Sequence, residues 1–584
     1  MKQPMDNWID GLPDCCKRQF RDFSGNLAFS STPPLKVDVG VHSPGRLRRC
    51  HRQVNFSVSK EQPEGWTPKF GVHALACAFN RFLRCFLFAV LFFMVFLQVS
   101  ADEDDFLKPV GKPPKAKADR RQAGEAMPPL PLPATPLRRS EKKSQPSPPS
   151  LIGKVVWGGY LDYKWEDGQV SRVFDWNMVP ADCQQLLSKA RENLGMEYKV
   201  ETVNLSSFDY TPAQIPVLFF SGGRSLNFKD EEREKLRKYM LAGGMLWFDS
   251  VVGSPYFYKS ALKELTLIMP ESPVRRLPLD QPVFRMLKDT PKVNIKTKKD
   301  TEPVLEGVYI GSRLAAVVSP YGLGAGWDRT EPELIAKADY YDPGSADIMG
   351  LNLLAYAVGW FQVGKSHSRI EVYSQNDLVN DSDAVVFAQI RTDGVWNTEP
   401  GAGGSLMRFI NRNLNIKANY ISKAVMLGKD PLDSYPFLFL TEITDCNFSA
   451  SERNALKEYI GRGGYLLASN SLGLSEFDRS FRNQIASIFP GAKFERIPLD
   501  SPVFQKGPFK IETVEYSPET KSKFPNLNTA YLEGVKIEGE FKIIYSPVDI
   551  AAGWQGDKHP LSCMYMPDDA LKLGANLVSY FMTH

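Results

Sequence analysis

Two copies of one α/β domain, each with a mostly parallel, doubly wound sheet, account for about 430 residues at the end of this 584-residue chain (584 − 150 = 434). Three observations lead to that class. The first is a duplication: Trp176-Asn177 returns as Trp396-Asn397 (396 − 176 = 220), Gly243-Gly244 as Gly463-Gly464, and the run Leu277 to Phe284 as Ile497 to Phe504. A period of that length is a whole domain and not a solenoid repeat. The second is a pair of unbroken apolar runs, Pro216 to Ser221 and Pro436 to Thr441. A strand that is apolar at every position is buried on both faces, as in a parallel sheet covered by helices. The third is the order strand, helix, strand within about 33 residues, which is the βαβ unit of doubly wound folds.

The elements follow in order within each copy. Opening strands are expected at Leu151 to Trp157 and Ala384 to Ile390. After Trp176-Asn177 the period turns helical, with Leu186, Leu187, Ala190 and Leu194 on one face, and Leu406, Phe409, Ile410 and Leu414 in the second copy. Past the central apolar runs comes a helix from about Lys229 to Leu241, whose Glu232, Arg233, Leu236 and Tyr239 recur as Glu452, Arg453, Leu456 and Tyr459. Ser449 and Glu452 have the spacing of a capping box. Each glycine pair then supplies a helix stop, and strands resume at Met245 to Asp249 and Tyr465 to Ser469. Leu305 to Val308 and Leu532 to Val535 follow, then Trp327 and Trp554; the offset has grown to 227 (554 − 327), so seven residues are inserted in the second copy. Closing helices are expected at Leu351 to Phe361 and Ala575 to Met582, giving domains 151–366 and 367–584.

The N-terminal portion reads differently. Residues 1–80 show no periodicity and are expected to be disordered, or an extension upstream of the true start, with Val72 as an alternative initiator. Residues 81–101 place Arg81 and Arg84 before about thirteen apolar residues, with Val99-Ser100-Ala101 and four acidic residues behind. That is a signal peptide or an uncleaved signal anchor, since a full span takes about 20 apolar residues. The copies are therefore expected to be exported, periplasmic or in the cell envelope, with membrane contact only through this segment. Eleven prolines in the 49 residues 102–150 make a disordered tether.

Tyr239, Gly243-Gly244-Met245-Leu246 and the later Leu279-Asp280-Gln281-Pro282-Val283-Phe284 carry a resemblance. The chain resembles the bacterial domain-of-unknown-function family 4159, over nearly all of both copies. The resemblance implies a class I glutamine-amidotransferase-like, flavodoxin-like three-layer sandwich and no established activity. Where relatives of that wider group often carry a histidine before the proline, this chain has Gln281 and Ser501. Where amidotransferases place an elbow cysteine, it has Asp249-Ser250 and Ser469-Asn470. Glutaminase chemistry is thereby disfavoured.

The remaining chemistry is sparse. A net charge of +4, not gathered into a stripe, gives no nucleic-acid surface. Cys183, Cys446 and Cys563 do not correspond between copies and form no metal-binding spacing, and Leu151 to Ser366 contains no histidine, so no metal site, cofactor or catalytic residue is expected. The second copy holds His367, His559 and His584. Gly359 to Ser366 matches the P-loop pattern, but a helix enters it where the mechanism needs a strand, so the match reads as the junction between copies. Ligands of such folds sit at the carboxyl ends of the strands. The candidates there are Ser221, Gly222, Gly223, Asp249 and Ser250, and Thr441, Glu442, Ser469, Asn470 and Ser471. Asp280 and Asp500, the acids kept in both copies, read as turn residues, and Trp327 and Trp554 as packing residues. The expectation is a non-catalytic binding or scaffold protein for a protein partner or small polar ligand, or a subunit of an envelope complex. The alternative is an envelope hydrolase using carboxylates and a metal.

Overall fold

A computed structural model describes residues 147–164, 167–329, 338–367 and 384–584. Residues 1–146, which include the segment expected to be a signal peptide or anchor at 81–101 and nearly all of the expected tether, lie outside the described residues. No helix among the described residues is long and apolar enough to cross a membrane.

The first repeat runs β1 (Ser150–Val156), β2 (Tyr160–Lys164), β3 (Val170–Phe174), α1 (Asp182–Leu194), β4 (Lys199–Asn204), β5 (Val217–Gly222), α2 (Asp230–Leu241), β6 (Met245–Ser250), α3 (Pro255–Ile268), β7 (Arg275–Arg276), β8 (Glu306–Ile310), β9 (Arg313–Ser319), α4 (Leu323–Asp328), α5 (Pro343–Gly359) and α6 (Phe361–His367). Its seven-stranded sheet has the order β4-β1-β5-β6-β9-β8-β7. The first five strands are parallel; β8 pairs antiparallel with β9, and β7 antiparallel with β8. The hairpin β2–β3 stands apart from that sheet.

The second repeat runs β10 (Val385–Ile390), α7 (Ala402–Leu414), β11 (Ala418–Val425), β12 (Phe437–Glu442), α8 (Ala450–Gly461), β13 (Tyr465–Asn470), α9 (Ser475–Ile488), β14 (Glu495–Arg496), α10 (Pro502–Gln505), α11 (Pro518–Lys523), β15 (Glu533–Ile537), β16 (Glu540–Ser546), α12 (Ala551–Gln555) and α13 (Pro567–Thr583). Its sheet order, β11-β10-β12-β13-β16-β15-β14, repeats the first strand for strand. In both, the strand order reverses at the opening strand, which places the crevice of a doubly wound fold beside the loop that leaves it.

The cause is visible residue by residue. Every residue of β5, β6, β12 and β13 is buried, as unbroken apolar runs require. The glycine pairs end α2 and α8: Gly243 and Gly463 take φ +100° and +102°. A Cβ on Gly244 or Gly464 would stand 2.2 or 2.3 Å from the ring of Tyr239 or Tyr459. Those rings lie across the glycines because their hydroxyls donate to the carbonyls of Ile215 and Tyr435, at 2.6 and 2.8 Å. Trp327 and Trp554 are buried and donate from Nε1 to Ala346 and Ala570 at 2.7 and 2.9 Å, the packing role expected. Ser449 and Glu452 close the expected capping box on α8.

Several expectations are corrected. The closing helices begin earlier, at Pro343 and Pro567 rather than Leu351 and Ala575, because proline at the first helical position starts a helix before its apolar face begins. The P-loop match is helical except at Trp360, the turn residue that separates α5 from α6. There the guanidinium of Arg313, which donates to the carbonyls of Gly244 and Met240, occupies the space a Cβ on Gly364 would need. The extended segment expected from Ser368 to Tyr373 lies outside the described residues.

The repeats share an interface. The turn at Asp280 is closed by its backbone, with Gln281 N–H on Pro278 O, and not by the Asp280 carboxylate as expected. That carboxylate accepts the Ser475 amide at 2.7 Å, capping α9 of the other repeat. Arg285 pairs with Glu519 on α11 and donates to Leu561 O. Helix α11 lies in the half of the copy that gained seven residues, so the added chain makes interface.

Candidate functional site

The ten strand-end residues named from the sequence lie where expected, at the carboxyl ends of β5, β6, β12 and β13, but they are buried. Asp249 accepts the Leu323 and Gly324 amides at 2.7 and 2.8 Å and caps α4. Glu442 accepts from Thr392 and Thr444 at 2.6 and 3.3 Å. In the second repeat the role of Asp249 passes to Asp549, which accepts from Leu472 and Ala552 and stands near Ser469. Burial pushes the carboxyls of Asp249, Glu442 and Asp549 up to about 7. Gly223 O accepts from Ser254, Ser221 Oγ donates to Trp176 O, Thr441 meets Thr398, and Asn470 donates to Leu474 O. Ser250 and Ser471 have buried hydroxyls with no hydrogen-bond partner in the chain. Gln281 donates to Tyr309 and Ser501 caps α10, so both residues in the histidine's place are structural. Burial raises the thiols of Cys183, Cys446 and Cys563, away from nucleophilic character.

The accessible chemistry lies one strand away. A cavity of about 590 Å³ opens beside β10 and β11, lined among others by Gln389, Trp396, Asn397, Arg408, Tyr420 and Ser422, with His367 and Gln555 on its wall. Its size falls within the range of about 300–1,000 Å³ typical of small-molecule sites. Strand register shows what stands in the same place in the first repeat: Lys154 pairs with Phe219 as Gln389 pairs with Phe439. Asp182 opens α1 as Ala402 opens α7. Lys154 and Asp182 form a buried ion pair at 2.8 Å, and the lysine also donates to Asn177 and Val179 O.

Against the cavity lies a cluster that sequence spacing did not announce. His367, at the end of α6, meets Glu399 from the loop between β10 and α7, with Asp557 and His559 from the loop after α12. One donor atom from each lies within 4.8 Å of all the others. His367 Nε2 is 3.4 Å from Glu399 Oε2 and 3.7 Å from Asp557 Oδ2, and His559 Nδ1 is 3.7 Å from Glu399 Oε1. The side chains of His367, Glu399 and His559 are at most 1% exposed, and that of Asp557 is 17% exposed. Burial lowers both imidazoles; for His367 the adjacent Glu399 carboxylate overrides it and the net shift is upward, while His559 ends below its ordinary value. Burial raises Glu399, but the two imidazoles hold it below the usual carboxylate range. Two imidazoles and two carboxylates facing one point have the donor composition of a cation site. Sequence reasoning held one usable signal: between Leu151 and Thr583 the histidines are His367 and His559, and the latter stands two residues after Asp557.

Fold and site together define a tandem α/β protein in which the second copy carries an open cavity and a histidine–carboxylate cluster at its wall. The chain belongs to the family of the domain of unknown function DUF4159, whose model matches residues 160–358 and 386–582, one match per repeat. No curated protein matches the chain.

Proposed function

We propose that this is an exported binding protein that holds a small polar ligand in its second repeat, the first repeat serving as a structural partner. The observation that carries the reading is the contrast at one position of the fold: a cavity of about 590 Å³ in the second repeat where the first holds the Lys154–Asp182 pair. Aromatic walls at Trp396 and Tyr420 with the polar heads of Asn397, Gln389 and Arg408 suit a ligand rich in hydroxyl or carboxylate groups. Export rests on the basic, apolar and small-residue succession at 81–101. The test transplants the filler: Gln389→Lys with Ala402→Asp should abolish calorimetrically detected binding of the sugars and sugar acids that bind the parent, leaving circular dichroism unchanged. Binding that survives the transplant would refute the reading.

A second reading, an exported hydrolase working through carboxylates and a metal, is favoured by the cluster beside the cavity. It requires turnover of an ester or phosphoester that a chelator stops.

A further inference from the structure

We infer that His367, Glu399, Asp557 and His559 hold one divalent transition-metal ion of the zinc class at the seam of the two repeats. His367 Nε2, both oxygens of Glu399 and both ring nitrogens of His559 are buried without a hydrogen-bond partner. Contacts of 3.4 to 3.7 Å between them lack hydrogen-bond geometry. Buried polar atoms are normally paired, and here one donor atom from each of His367, Glu399 and His559, with one from Asp557, lies within 4.8 Å of the others, which describes the shell of a ligand. The same separations suit a metal: bonds of about 2.0–2.1 Å in a tetrahedron set donors roughly 3.3–3.4 Å apart.

Charge points the same way. Two carboxylates and two neutral imidazoles carry −2, and a divalent ion brings the buried group to zero. Mixed nitrogen and oxygen donors select zinc and its transition-metal neighbours over magnesium or calcium, which prefer all-oxygen shells.

The outer contacts orient the donors as a metal site needs. His367 Nδ1 lies 3.3 Å from Ile310 O in the first repeat; donation there leaves the Nε2 lone pair facing the cluster. Asp557 Oδ2 accepts from Gln555 Nε2 at 2.6 Å, and Gln555 Oε1 accepts from Gly401 N–H at 2.7 Å. The Trp360 ring stands 5.2 Å from that of His559. Because His367 and Gln555 also line the cavity, an ion held here borders the space where the ligand is proposed to sit. Among the described residues the first repeat has no counterpart: Val179 stands at the place of Glu399, and residues 151–366 hold no histidine.

The experiment uses the full chain carrying no histidine tag. After zinc loading and dialysis, elemental mass spectrometry should find one zinc per chain, and Glu399→Gln and His559→Ala should each reduce it at least tenfold. His584→Ala, which alters a histidine outside the cluster, should retain the full equivalent. Should the cluster variants fail to fold, the parent decides: a chelator should lower its melting temperature, zinc should restore it, and cobalt should give the visible absorption of a four-coordinate site. A parent with no stoichiometric metal, and melting indifferent to chelator and zinc, overturns the inference. Metal content is read apart from calorimetry and turnover, so the site can stand or fall independently of either functional reading.

Discussion

The corner between opening strand and first helix is built twice in this molecule and finished in two ways. In the first repeat Lys154 and Asp182 close it with a buried ion pair. In the second, Gln389 turns its amide onto Trp396 O, Ala402 and its neighbouring glycines withdraw from the space, and a cavity remains. The lesson is that a duplicated scaffold lets one copy be filled for stability while the other keeps room for a ligand.

The largest effect should come from unfilling the first corner. Asp182→Ala strands the Lys154 amine, and breaking a buried pair costs about 3–5 kcal/mol. Urea unfolding should show a loss of that order, and a cost under about 1 kcal/mol would break the comparison.

Next is a pH effect, larger in the second repeat because it holds two of the three carboxyls raised to about 7. A raised carboxyl is protonated in the folded state where it would ionise in the unfolded chain. Its contribution is therefore complete below the ordinary carboxylate pKa and is lost as pH climbs through about 7. For Glu442, moved from 4.5 to about 7, the loss is on the order of 3 kcal/mol at about 1.4 kcal/mol per unit. Glu442→Gln should gain that much relative to the parent between pH 4 and 8; parallel curves would show the acid is not held protonated.

The smallest effect is a matched pair at the seam. Asp280→Ala removes the cap on α9 and should cost about 1 kcal/mol, within the range of N-cap losses. Asp500→Ala, at the exposed counterpart, should stay within about 0.5 kcal/mol. Equal losses would mean that the first copy's aspartate does not reach across.

Legibility in the sequence followed burial. The central strands were plain because all their positions are buried, and the Tyr239 and Gly244 pairing recurs because ring and backbone share one space. The second strands, β4 and β11, were missed because they lie at sheet edges, where most of their residues are partly or fully exposed and no unbroken apolar run forms. The hairpin β2–β3 was missed for the same reason, its residues alternating between exposed and half-buried. The cluster was hidden because its members stand at 367, 399, 557 and 559, and spacing along a chain does not disclose what two sheets bring together. The strand-end candidates were in place, yet they are buried, and Asp249 serves the helix amides of Leu323 and Gly324 rather than solvent.

His367 sits on the last helix of the first repeat, while its neighbours in the cluster come from the second. During synthesis the histidine leaves the ribosome some 190 residues before His559 does (559 − 367 = 192). Assembly of this corner therefore waits for the second repeat, and a chain truncated before residue 557 would never complete it.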